Sequence, residues 1–234
     1  MIVEVLYQEL FIYGEKGNTE YLRQMFKDAK FVHTQLNDKP YFADNHVDLI
    51  IIEPISERHL EVVCGRLKPY AAKLRELIDA GAHFIAFNNA LDILGKSLTE
   101  QSLGKKEEKE TLNLFDYTTI RDLDDRYAEL AVLEYKNIDV LAMSMGFSQY
   151  YGNTSNYIYD VKSGFGFNKE TKRGGYRYKN AFLIEALGNV FMYNPEIAKL
   201  LLKRFDCDDS LPFEADAYAA HKQRSRLWKK CGIH

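Results

Sequence analysis

Cysteine is scarce in this 234-residue chain: three residues, Cys64, Cys207 and Cys231, odd in number and far apart. That excludes a disulfide framework and points to a reducing compartment. With no CxxC pair and six scattered histidines, a structural zinc site is excluded as well, and no motif asks for a cofactor. Prolines number five, and no Pro/Gly/Ser-rich linker or internal repeat divides the chain, so one domain over 1–234 is expected. No apolar run reaches the roughly 18 residues of a membrane span. Met1 leads directly into IVEVLY rather than into a basic-then-apolar leader, so a cytoplasmic protein with no membrane insertion is expected. An excess of one charge is lacking too: 31 basic and 34 acidic residues give a net charge of −3, which argues against nucleic-acid binding. The basic stretch HKQRSRLWKK (221–230) reads as the solvated face of a last helix.

What is present is a two-period texture. Strand-like runs IVEVLY (2–7), KFVHTQL (30–36), DLIIIEP (48–54) and AHFIAF (82–87) alternate with helical patterns. The first, TEYLRQMFKDA (19–29), has Asn18 or Thr19 as its N-cap, and the second spans roughly 57–80. DLIIIEP, apolar throughout, suits a strand covered on both faces of a parallel sheet. After about residue 110, TLNLFDYTTI, AELAVLEY, DVLAMSMGF, NYIYDVKSGFGF and GGYRYKNAFLIEAL read as strands of a mixed or antiparallel extension of the same sheet. Two helices follow, one over 194–205 capped by Asn194 with Pro195 in its first position, the other over 213–230. The expected fold is a three-layer α/β domain with a mostly parallel central sheet flanked by helices.

The turn in FIAFNNALDILGKSL (84–98) is the pointed feature. A strand ends at Asn88–Asn89 and a short helical pattern starts at once, the place where an α/β fold presents a nucleophile, yet no Cys or Ser stands there. Asn tolerates positive φ, so the pair suits a strained turn without a thiol.

Five stretches, in order, resemble the class I glutamine amidotransferases, specifically the CobB/CobQ-like branch and its GatD-type members. They are IYGEKGNTEYLRQ (12–24), LDILGKSL (91–98), MGFSQYYGNTSNY (145–157), GFGFNKETKRGGYRYKN (164–180) and NPEIAKLLLKR (194–204). The resemblance implies a flavodoxin-like fold and glutamine or an amino-acid-like ligand. It also implies a Mur-ligase-like or other synthetase partner, as in amidation of the peptidoglycan precursor lipid II. The family's chemistry needs a cysteine nucleophile, a histidine proton shuttle, backbone N–H donors for the oxyanion, and an arginine for the substrate carboxylate. Counted from Gly95–Lys96, the cysteine position falls on Asn88, with Asn89 and Ala90 after it. Counted from Asn194–Pro195, the histidine position falls on Leu187. The oxyanion loop falls on Glu53, Pro54 and Ile55, where Pro54 has no N–H and Glu53 brings negative charge. The carboxylate-binding arginine falls on Arg126, whose plainer reading is a surface partner of Asp124 or Asp125.

The expectation is a binding or regulatory protein with no catalytic residues of the family's kind, whose ligand residues are Arg126, Asn88, Asn89 and Glu53. Two alternatives stay open: an active amidotransferase supplying ammonia to a synthetase, or different chemistry in the same pocket through Glu53 and Asp92, with Asp92 expected to face solvent. Cys64 reads as a packed small hydrophobe. Tyrosine-rich QYYGNTSNYIY (149–159) suits either a partner surface or core packing, and the glycine-rich hairpin a turn rather than a phosphate site.

Overall fold

A computed structural model describes residues 1–13 and 16–233. Its centre is a six-stranded sheet built from β1 (Ile2–Leu6), β2 (Lys30–Thr34), β3 (Leu49–Ile52), β4 (His83–Phe87), β13 (Tyr176–Tyr178) and β14 (Ala181–Ile184). The spatial order is β13-β14-β4-β3-β1-β2, parallel throughout except for β13, which pairs antiparallel with β14. The strand order reverses between β1 and β3, so ligand-facing loops gather at the carboxyl ends of the neighbouring strands. Leu49–Ile52 is buried at every residue, as the unbroken apolar run requires of a strand covered on both faces.

Helices α2 (Glu57–Leu67) and α3 (Ala71–Ala80) cover one face, inserting Leu60, Val63, Leu67, Leu74 and Ile78. Helix α1 (Lys16–Met25) and the later α4 (Val190–Tyr193) and α5 (Pro195–Arg204) cover the other, with Leu22, Phe191, Ala198 and Leu202 inserted. Helix α6 (Glu214–Lys230) closes the chain with its basic residues mostly outward. Asn18 and Thr19 lie inside α1, fully buried, rather than capping it. Asn194 does not cap α5 with its side chain either; its amide pairs with both the N–H and the C=O of Leu141, at 2.7 and 3.0 Å.

Between β4 and β13 the chain leaves the central sheet and builds two further sheets, rather than extending the first. One contains β5 (Ser97–Ser102), β6 (Lys105–Lys109), β7 (Tyr117–Asp122) and β10 (Ser148–Gly152) in the order β10-β7-β5-β6. The other contains β8 (Tyr127–Tyr135), β9 (Ile138–Gly146), β11 (Tyr159–Ser163) and β12 (Arg173–Gly174) in the order β12-β11-β8-β9. The first packs Tyr117 and Tyr150 into the α2/α3-side core; the second packs Leu133, Val140, Ala142 and Tyr159 into the α5-side core. The final predicted strand, 174–187, is divided by turns, and its last piece returns as β14 beside β4.

A carbonyl-clamped turn as the candidate functional site

β4 ends at Phe87 in extended conformation, and Asn88 follows at φ +48°, heading a 3-10 turn over Asn88–Ile93. This left-handed geometry disfavours most residues and is tolerated by Asn. The Asn88 side chain is 4% exposed and donates from Nδ2 to two backbone carbonyls, Met145 O and Glu185 O, each at 2.8 Å. Both donor positions of the amide are thereby used, one on the strand β9 side and one at the end of β14.

Asn89 closes the neighbouring loop. Its Nδ2 donates to Ile55 O at 2.6 Å and to Glu57 Oε1 at 3.2 Å, while its Oδ1 accepts from Ile55 N at 3.2 Å. The N–H of Ile55, in the stretch matched to the oxyanion loop, is therefore held by a side chain, and Pro54 has none to offer. Glu53 is fully buried at the end of β3, alongside β4. Leu187 is 3% exposed and exchanges both backbone hydrogen bonds with Met143, at 3.0 and 2.8 Å.

Arg126 precedes β8 and is exposed, its guanidinium 3.3 Å from Met145 Sδ and 6.0 Å from the Phe147 ring centre. Neither Asp124 nor Asp125 holds it: Asp124 accepts from Leu103 N, and Asp125 pairs with Lys169. Met145 thus joins two of the expected ligand residues, meeting Asn88 through its carbonyl and Arg126 through its sulfur. Half-exposed Tyr13 feels both Glu57 and Arg126: its pKa is raised by burial and then by Glu57, with Arg126 acting in the opposite direction. Glu57, the first residue of α2, was invisible in the sequence pattern; its partner Asn89 is what draws it to the turn.

Beneath the turn lies an ionic cluster that the sequence reading missed. Asp92, expected to face solvent, is fully buried. Its Oδ2 accepts from Ser148 Oγ at 2.9 Å and meets Arg121 Nη1 at 3.3 Å, and its Oδ1 accepts from Tyr150 Oη at 2.9 Å. Burial pushes its pKa up to about 6 against the pull of Arg121. Arg121, 1% exposed on β7, also reaches Glu100 at 2.8 Å. It shares the inward face with Tyr117 and Thr119, alternating with exposed Thr118 and Ile120, a placement that requires carboxylate partners for a buried cation. The network continues outward, Arg121 to Glu61 at 3.6 Å and Glu100 to Lys109 at 3.7 Å, and both oxygens of Asp92 are engaged within it.

Glu185 is buried at the end of β14, and burial raises its pKa to about 7. Its carboxylate turns toward Gly175, whose N–H donates to Oε2 at 2.8 Å, while only its carbonyl serves the Asn88 clamp. A Cβ on Gly174 would come within 2.0 Å of that carboxylate, and Gly175 sits at φ +63°, so both glycines are required by this approach.

The other candidates fall elsewhere. Cys64 is on the buried face of α2, with its Sγ donating to Glu110 O at 3.3 Å and its pKa pushed up to about 11 by burial. Cys207 follows α5 and Cys231 follows α6. In the tyrosine-rich stretch, Tyr150, Tyr157 and Tyr159 are core residues. Three cations of the glycine-rich segment are engaged, Lys169 with Asp125, Arg173 with Asp160 and Lys179 with Asp79. Among the described residues no group of three or more His, Cys, Asp or Glu converges to hold a metal, and no helix is long and apolar enough to cross a membrane.

No family model matches the chain. It is 24% identical over 218 residues to the Staphylococcus aureus (strain N315) protein named lipid II isoglutaminyl synthase (glutamine-hydrolyzing) subunit GatD, covering 91% of this chain and 87% of that one. Among solved structures it resembles a glutamine amidotransferase from Thermotoga maritima, with TM-score 0.55, 12% identity, and 98% and 97% of the two chains covered. It likewise resembles a second glutamine amidotransferase, with TM-score 0.56, 10% identity, and 87% and 98% covered. The fold is that of the class I glutamine amidotransferases, and the sequence has a GatD-like character.

Proposed function

We propose that this glutamine amidotransferase-like chain does not hydrolyse glutamine and works by binding, as a regulatory or scaffolding subunit. The observation that carries the reading is the state of Asn88. It occupies the left-handed apex after β4 with both amide N–H groups committed to backbone carbonyls, and an amide offers no nucleophile for acyl transfer. Leu187, at the position matched to the proton-shuttling histidine, has no group that moves a proton. The Ile55 N–H, the donor left in the loop matched to the oxyanion site, is engaged by Asn89.

The ligand in this reading is a free amino acid of the glutamine type. Arg126 has no carboxylate partner among the described residues and would take the α-carboxylate, a role in which the guanidinium fork is favoured. Glu57, whose charge also reaches Tyr13, would take the α-ammonium. The protein partner is a Mur-ligase-like or other synthetase subunit acting on a cell-wall precursor, in line with the role named for the staphylococcal relative.

The test is incubation with a glutamine-mimicking electrophile, followed by intact-mass and peptide mapping, beside an ammonia assay and a thermal-shift titration with glutamine. The expected result is no adduct and no ammonia, with a glutamine-dependent rise in melting temperature that Arg126→Gln removes. A cysteine adduct blocked by excess glutamine would overturn the loss of activity; absence of any glutamine shift would overturn the ligand.

A further inference from the structure

The α5-side core is not closed. A cavity of about 330 Å³ opens between the central sheet, the β8–β9–β11 sheet and α5. Its walls are apolar, with Leu133 and Val140 from the second sheet, Ile184 from β14, Phe191 from α4 and Leu201 from α5. The cause is geometric. β4 and β14 present His83 and Ile85, and Phe182 and Ile184, to the cavity, which the second sheet borders on one side and α5 on the other. Phe182 and Ile184 stay half-exposed although they belong to the central sheet.

The rim carries one sign of charge. Lys136, Lys203 and Arg204 border the opening, and none of the residues lining the cavity is acidic. Arg204 and Arg177 flank the Phe182 ring, with guanidinium carbons 5.1 and 5.2 Å from its centre. Arg204 donates to two neutral groups, His83 Nε2 at 2.7 Å and Asn180 Oδ1 at 2.9 Å. Burial and then Arg204 hold His83 well below its usual pKa, at about 4, so it remains an uncharged acceptor. Among the described residues, Arg177, Arg204 and Lys136 have no carboxylate partner, whereas Lys203 is held by Asp209 at 3.0 Å. Two adjacent guanidiniums and a lysine without counter-charge, beside an open apolar cavity, lack an anion with an apolar body.

We infer that this cavity binds a single-chain amphipathic carboxylate, its tail among Leu133, Val140, Ile184 and Leu201 and its head against Arg204 and Lys136. The volume lies at the lower end for small-molecule pockets and has room for roughly ten groups the size of a water or a methylene, which sets a medium chain. The inference is independent of the reading of Asn88, because none of its contacts touches that turn.

The probe is decanoate, titrated calorimetrically into the full chain, with decanol and decyl phosphate alongside. Decanoate should bind one to one, and decanol about tenfold more weakly, the value of a charge-assisted hydrogen bond in a partly dry site. Lys136→Gln combined with Arg204→Gln should bring decanoate down to the decanol level and leave decanol unchanged. Ala142→Phe, which fills the cavity from β9, should abolish binding of all three; Leu201→Trp from α5 replaces it if that variant does not fold by circular dichroism. Equal binding of decanoate and decanol to the unaltered chain would overturn the inference, as would retained binding after the cavity is filled. Tighter binding of decyl phosphate would overturn the assignment of a carboxylate.

Discussion

Two polar clusters lie within one turn of each other and are built on opposite principles. The Asn88–Asn89 clamp is neutral: two side-chain amides fasten Met145, Glu185 and Ile55 through their backbone groups. The Asp92–Arg121–Glu100 cluster below it is ionic, with Asp92 and Arg121 buried and Glu100 at its edge. Neutral amides hold their geometry across the pH range, since nothing in them titrates. The ionic cluster bears a large desolvation cost that only multiple partners offset, and it fails if one is removed. The clamp sets the shape of the turn, and the charged layer locks that turn to the β5–β7–β10 sheet. Asn194 repeats the first device elsewhere, pairing with the peptide group of Leu141.

The contrast is broken most severely by Arg121→Met. It strands the buried Asp92 carboxylate, while Glu100 keeps Lys109 at 3.7 Å, and should destabilise by about 3–5 kcal/mol in urea unfolding. Adding Asp92→Asn should recover part of the loss. Asn88→Ala should cost less, about 2–3 kcal/mol, from two unmet carbonyls and a left-handed backbone. Asn88→Gly keeps the backbone and should fall between Ala and the native residue, which separates the two contributions.

A pH series sharpens the difference. Asp92 rises from an ordinary 3.8 to about 6 and Glu185 from 4.5 to about 7, so the folded chain binds these protons more tightly than the unfolded one. These two groups therefore make stability fall as pH rises from roughly 4 to 7, and their effect levels off above that. Glu185→Gln should flatten the upper part of that slope, while Asn89→Ala should lower stability by a similar amount at every pH. The smallest effect belongs to Arg126→Gln: exposed and without a carboxylate partner, it should shift stability by no more than about 0.5 kcal/mol, yet remove any stabilisation by glutamine.

Much of the central layer was legible in the sequence because its signals are local. DLIIIEP and AHFIAF announce buried strands, and the spacing over 57–80 announces one helical segment, which the structure divides into α2 and α3 at a 3-10 turn holding Pro69. The division of the later strands into two separate sheets was not legible, since pairings such as β5 with β7 and β10 with β7 depend on register between distant segments. The turn itself could be placed from FNNAL, and its positive φ follows from what Asn permits. The engagement of Asn88 with Met145 and Glu185, across 57 and 97 residues of sequence, is a property of the assembled sheets. Asp92 illustrates the gap: a carboxylate in a short helical pattern reads as solvated until Arg121 arrives from another sheet.

The return of β14 to the edge of β4 has a consequence for how the chain is made. On the ribosome, β4 is complete long before its partner: Ala181 pairs with Phe84, and about 90 residues are synthesised between the end of β4 and the start of β14. At about 5–20 residues per second, the HFIAF strand waits roughly 5–20 s with one edge unpaired. An apolar strand with open backbone groups is a template for pairing with another chain. During synthesis, then, a strand that ends up almost wholly buried waits with an open edge, and a holding chaperone would find a target at residues 83–87.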